Sequence, residues 1–289
     1  MTKIKARRAF GVAAMFVLSA FAAGSAQAQS KAELVARGDY LVSTILTCNN
    51  CHTPMGPQGP DFSKALSGGL SWDEPPFKVT ASNITQDKDT GIGNWTDAQI
   101  KHLLRTGERP NGVHIAAVMP VGFYKIMTER DLDAVVAYLR TVKPVKNTVP
   151  DPVYRFPARS QTPPGAENAF TEDMLKDPVK NGFYLATIGH CFECHTPMGP
   201  KGHDWATYGM GGMEFPGPWG KSVSRNLTPS KDKGLGNWTD AEIKTAITTG
   251  VAKDGSRLKP PMGYPYYAHM KGEDIDAVIA YLRTVPVKE

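Results

Sequence analysis

The chain has 289 residues, 41% of them hydrophobic and 21% charged. That length accommodates about two domains, and the composition excludes a polytopic membrane protein, a disordered chain and a disulfide-dense mini-scaffold. The formal charge of +5 is misleading, because Lys3, Lys5, Arg7 and Arg8 supply four of the 33 basic residues and the remaining 29 face 28 acidic ones; such a balance argues against nucleic acid as a partner.

The first segment reads as an export signal. Lys3, Lys5, Arg7 and Arg8 form a positive n-region, residues 9–24 are apolar, and Ala26-Gln27-Ala28 is an A-x-A cleavage site. Residues 1–28 are therefore expected to be a signal peptide, with the mature chain starting at Gln29. The apolar run falls short of the ~20 residues needed to span a bilayer. Its rival is an uncleaved membrane anchor. The expected location is a bacterial periplasm, with at most peripheral membrane contact.

The rest of the chain repeats itself. Residues 48–143 align without a gap on residues 191–286, with 43 identities in 96 positions. One extra residue lies in the first copy just before this block, between Gly38-Asp39-Tyr40-Leu41 and the first cysteine. A repeat of this length is a duplicated domain. Residues 29–142 are the first domain, 143–170 a Pro-rich linker, and 171–289 the second domain. Helices are expected over residues 31–46 and 173–188. Thr96 with Gln99, and Thr239 with Glu242, fit capping boxes that start a further helix in each copy. Leu132, Val135, Val136 and Leu139 form one apolar helical stripe, echoed by Ile275, Val278, Ile279 and Leu282. Residues 53–94 and 196–237 are rich in Gly and Pro and show no helix or strand pattern, so each domain is expected to be all-α with long loops. Side chains alone would fill such small cores poorly.

The four cysteines occur as Cys48-Asn49-Asn50-Cys51-His52 and Cys191-Phe192-Glu193-Cys194-His195. C-x-x-C-H is the attachment signature of c-type haem. Two thiols one helical turn apart add to the two haem vinyl groups, and the following imidazole is aimed at the iron. Cys48, Cys51, Cys191 and Cys194 are thus the expected covalent attachment points of two haem c groups, with His52 and His195 as iron ligands. A redox disulfide would belong on a thioredoxin-like pattern, which is absent, and zinc would need a second Cys/His pair to complete four ligands. For the opposite axial position, none of the other histidines recurs in both copies, whereas three methionine pairs do. Met55 and Met198 lie too close to the proximal histidines. Met127 and Met270 abut the C-terminal helix, where an apolar role suffices. Met119 and Met262 sit in Pro-flanked loops 67 residues past each histidine and are the expected sixth ligands. Trp95 and Trp238 either donate to a haem propionate or close the haem edge.

These motifs, with Asn83-Ile84-Thr85, Gly91-Ile92-Gly93-Asn94-Trp95-Thr96-Asp97, Pro260-Pro261-Met262-Gly263-Tyr264 and the Ala-Tyr-Leu-Arg runs at 137–140 and 280–283, resemble class I c-type cytochrome domains. More narrowly, they resemble the multi-haem cytochrome c subunits of bacterial periplasmic alcohol, gluconate and sugar-acid dehydrogenases. The resemblance implies two tandem cytochrome c-like domains, with the long loops wrapped around covalently bound haem. It also implies electron transfer: a periplasmic dehydrogenase or respiratory complex would be the donor and a cytochrome or terminal oxidase the acceptor. No catalytic residue is then expected. The alternative is a dihaem enzyme, such as a peroxidase or a thiosulfate-oxidising cytochrome. It would exploit the asymmetries that remain, His190 and Met210/Met213 in the second copy and His102 and His114 in the first.

Overall fold

The computed structural model describes residues 30–57, 59–157 and 159–289; the expected signal peptide lies outside them. The helices are α1 (Lys31–Tyr40), α2 (Cys48–His52), α3 (Asp97–Thr106), α4 (Val121–Tyr124), α5 (Glu129–Leu139), α6 (Pro178–Ile188), α7 (Cys191–Cys194), α8 (Asp240–Thr249), α9 (Tyr264–Tyr267) and α10 (Gly272–Leu282). The strands are β1 (Met55–Gly56), β2 (Gly59–Pro60), β3 (Ser71–Glu74), β4 (Phe77–Thr80), β5 (Val153–Tyr154), β6 (Met198–Gly199), β7 (Gly202–His203), β8 (Glu214–Gly217) and β9 (Gly220–Val223).

Helix boundaries follow local chemistry. The expected capping boxes of α3 and α8 both form, Thr96 with Gln99 and Thr239 with Glu242. Both helices end at a left-handed glycine, Gly107 at φ 75° and Gly250 at φ 69°, where a side chain would be strained. Asp177 caps α6 and Pro178 fills its first turn, so that helix starts later than residue 173. The extra residue of the first copy appears as geometry. α1 continues into a π-helical turn over Leu41–Ile45, whereas α6 runs on without one. The wider turn absorbs one residue.

The all-α expectation is wrong. The described residues also hold four small antiparallel sheets, β1–β2, β3–β4–β5, β6–β7 and β8–β9. Apart from β5, which lies in the 143–170 stretch, they fall in the Gly/Pro-rich stretches, where strands of two to four residues are too short to show a period. Tight turns make them possible: Pro75-Pro76 joins β3 to β4, and Gly59 (φ 118°) and Gly202 (φ 98°) start β2 and β7. Phe77 and Val79 alternate with exposed Lys78 and pack with Ala116 in a small satellite core. Nor does the 143–170 stretch hang free. The Asn83 amide donates to the Val145 carbonyl at 2.8 Å, and Lys78 and Phe77 pair with Val153 and Tyr154.

The main core is one continuous cluster. It takes Leu41, Ile45, Phe123 and Leu132 together with Tyr184, Ile188, Ile275 and Ile279, all at most 2% exposed. The predicted stripes on α5 and α10 are its inward faces. α5 packs on α1, and α10 on α6. Each crossing needs a glycine: a Cβ on Gly38 would overlap the Ala134 carbonyl, and one on Gly182 would overlap the Ala277 carbonyl. Gly38→Ala should therefore destabilise the protein by about 1–3 kcal/mol or more, the cost of overpacking. It does so although Ala has the better helix propensity. A raised denaturation midpoint would contradict this packing.

Candidate haem-binding sites

Each C-x-x-C-H motif is a single helical turn entered through a left-handed residue. Thr47 (φ 48°) precedes α2 and His190 (φ 43°) precedes α7. This strained entry breaks α1 and α6 from the turns that follow and aims both thiols to one side. All four cysteines are free thiols. Burial raises Cys48 and Cys51 to about 12 and Cys191 to about 11, and pushes Cys194 higher still. Among the described residues no three His, Cys, Asp or Glu side chains converge on a point that could hold a metal ion.

The histidines after the cysteines are oriented by the backbone. His52 Nδ1 lies 2.7 Å from the Ser82 carbonyl and His195 Nδ1 lies 2.6 Å from the Arg225 carbonyl. A carbonyl only accepts, so Nδ1 carries the proton and donates, and Nε2 keeps its lone pair. Burial holds both imidazoles below their usual pKa, which keeps them neutral. A neutral imidazole anchored through its other nitrogen is the form that binds a metal.

An apolar cavity opens beside α7. Cys191, Cys194 and His195 line it together with Trp238, Met262, Tyr267 and Met270. Leu235, Ile243, Ile247 and Leu282 supply aliphatic walls, and Ile45 enters from the first half of the chain. The residues present fit a haem: two thiols, two imidazoles (His190 and His195), two thioethers (Met262 and Met270) and mostly apolar walls. They match the expected shortage of core side chains.

Of the other candidates, Met119 is partly buried and packs on the main core, as does Cys48. Met127 is fully buried. Met55 and Met198 are more than half exposed on the small hairpins. Trp238 lines the cavity, and Trp95 packs half-buried against the core. The unpaired histidines have ordinary partners: His102 with Glu108 at 3.2 Å, His190 with Glu193 at 3.2 Å, and His203 against Trp205.

Two functional contributions escaped the sequence reading. The Ser82 and Arg225 carbonyls orient the histidines, and a backbone acceptor carries no side-chain signal. Arg140 and Arg283, the last residues of the Ala-Tyr-Leu-Arg runs, brace the site loops. Arg283 donates to the Trp238 carbonyl at 2.6 Å and to Asp240 at 2.7 Å, and Arg140 to the Trp95 carbonyl and to Asp97. Their recurrence at one offset was the available signal.

Comparison with known proteins points the same way. Residues 179–286 match the cytochrome c family. The chain is 30% identical over 300 residues to the alcohol dehydrogenase (quinone) cytochrome c subunit of Gluconobacter oxydans, covering 97% of this chain and 61% of that protein. It is 29% identical over 275 residues to the fructose dehydrogenase cytochrome subunit of Gluconobacter japonicus, covering 88% of this chain and 53% of that subunit. A diheme cytochrome c-type protein of Cereibacter sphaeroides is 29% identical over 255 residues, with 84% and 83% covered. The chain thus spans less than two thirds of the first two relatives.

Proposed function

Residues 179–286 carry a cytochrome c domain, and from that premise we propose that the protein is a periplasmic dihaem c-type cytochrome that carries electrons from a dehydrogenase or respiratory complex to a downstream cytochrome or terminal oxidase. A cytochrome c domain implies covalently bound haem c, which supplies one-electron redox chemistry when bound. The reading is carried by one observation: Cys191, Cys194, His195 and Met262 line a single apolar cavity.

The chain's residues have distinct roles in it. Cys191 and Cys194 tether the group through redox cycling, and Cys48 and Cys51 do the same in the first half. His195 and His52 bind iron through Nε2, held in that tautomer by the Arg225 and Ser82 carbonyls. Met262 and Met119 would supply a further ligand to the iron, and a thioether ligand would raise the potential. The aliphatic walls exclude water. Export and signal cleavage at residues 28–29 belong to the proposal, as does its division into two haem domains. No helix among the described residues is long and apolar enough to cross a membrane.

A dihaem enzyme needs one open iron beside acid–base groups. The recurrence of His52 and Met119 as His195 and Met262 at one offset favours the carrier, because outer-sphere transfer requires no bond to iron. We expect rapid reduction by ascorbate and negligible turnover with peroxide or thiosulfate, in both the oxidised and the half-reduced protein. Turnover above ~1 s⁻¹, the low end of ordinary enzyme rates, would overturn the carrier reading.

A further inference from the structure

The two halves of the chain are joined by a pair of contacts that run in opposite directions. Tyr40, at the end of α1, donates its hydroxyl proton to Asp274 Oδ2 at 2.6 Å and accepts from the Lys271 backbone N–H at 3.1 Å. Tyr184, on α6, donates to Asp131 Oδ2 at 2.7 Å and accepts from the Thr128 N–H at 3.4 Å. Lys271 and Thr128 are the N-caps of α10 and α5, and Asp274 and Asp131 lie in their first turns. Each tyrosine therefore caps the C-terminal helix of the opposite half, satisfying an amide that a helix start leaves open. Reciprocal use of one patch is the geometry of an isologous interface, here within one chain. The pairing is not wholly even: Asp131 also holds Arg37 through two 2.8 Å bonds, and Asn181 stands at the position equivalent to Arg37.

These contacts lie on the segments that lead into both C-x-x-C-H turns. Tyr40 leads through the π-turn into α2, and Tyr184 leads through the end of α6 into α7. The two approach segments touch: a Cβ on Gly189 would lie 3.4 Å from the Ile45 carbonyl oxygen. Ile45 lines the cavity of the other half, α9 packs on the π-turn, and α4 packs on α6.

We propose that Tyr40 and Tyr184 are positioning residues that fix the separation and mutual orientation of the two haem sites across this seam, so that an electron passes between the sites inside the molecule. The proposal rests on the dihaem reading above. The electron leaves one iron centre and enters the other, with no bond made or broken and no proton required.

The test uses the full secreted holoprotein and circular dichroism in the Soret region. Two haems held close and at a fixed angle couple their transitions and give a bisignate band. The wild type should show that couplet. Tyr40→Phe/Tyr184→Phe, which removes only two hydroxyls, should lose most of its amplitude while haem content, absorption and the methionine–iron band stay unchanged. A purely structural role confined to one half would not move the couplet alone. Tyr40→Phe by itself, at a partly buried position, should weaken it and decides the matter if the double variant fails to fold. A wild type with two haems and no couplet, or a folded variant with an undiminished one, overturns the proposal and leaves the carrier reading standing. A wild type with fewer than two haems overturns the carrier reading instead.

Discussion

Replacing Cys191 and Cys194 together by serine is expected to leave a secreted chain with one haem and an unfolded or molten second half. The cavity beside α7 is lined by Leu235, Ile243, Ile247, Leu282, Trp238 and Tyr267, and none of these can close the gap alone. Emptying a core of a single Phe or Trp costs about 3–5 kcal/mol. A haem is larger than either, so its loss rivals the ~5–15 kcal/mol that a whole domain retains. The effect should spread, because Ile45 lines the same cavity and Tyr184 caps α5. Absorbance should fall to half per chain, and the far-ultraviolet helix signal should fall with it. A double variant with undiminished haem content would show that the second motif holds nothing.

Met262→Ala is expected to have the largest effect on redox behaviour. The variant leaves Cys191, Cys194 and His195 in place and removes one thioether from the cavity lining. We expect loss of the long-wavelength methionine–iron band from that site and binding of carbon monoxide or cyanide there. The potential should fall on the order of 0.1–0.2 V, a fraction of the roughly 0.8 V over which axial ligands set haem potentials. Met119→Ala should do the same in the first half. Met270 is the informative control, because it lines the same cavity. Met270→Ala should cost about 2–5 kcal/mol of packing and keep the band. Met127→Ala, at a fully buried position, should likewise cost packing only. If Met270→Ala lost the band and Met262→Ala kept it, the ligand assignment would be wrong.

What could be read from the residues depended on how local its cause was. The capping boxes at Thr96 and Thr239 form because cap and partner lie three residues apart. The stripes on α5 and α10 face the core because their i, i+3, i+4, i+7 pattern repeats over two turns. Cys48-x-x-Cys51-His52 and its partner motif were legible because one turn sets the spacing. The hairpins were not. β3 and β4 are four residues each, and the Phe77–Val79 alternation is a single period. Long-range geometry was also hidden: nothing near Tyr40 points to Asp274, and nothing near Ile45 points to the second cavity. The π-turn stood between these cases, since an unmatched residue before Cys48 was visible but not the form that absorbed it.

The central claim is that both motifs carry haem, and the intact mass of the mature secreted protein measures it directly. The account predicts a chain beginning at Gln29 and heavier by two haem masses, with the colour retained by the polypeptide after acid–acetone extraction. A mass shift of one haem, or pigment that leaves with the solvent, would contradict it.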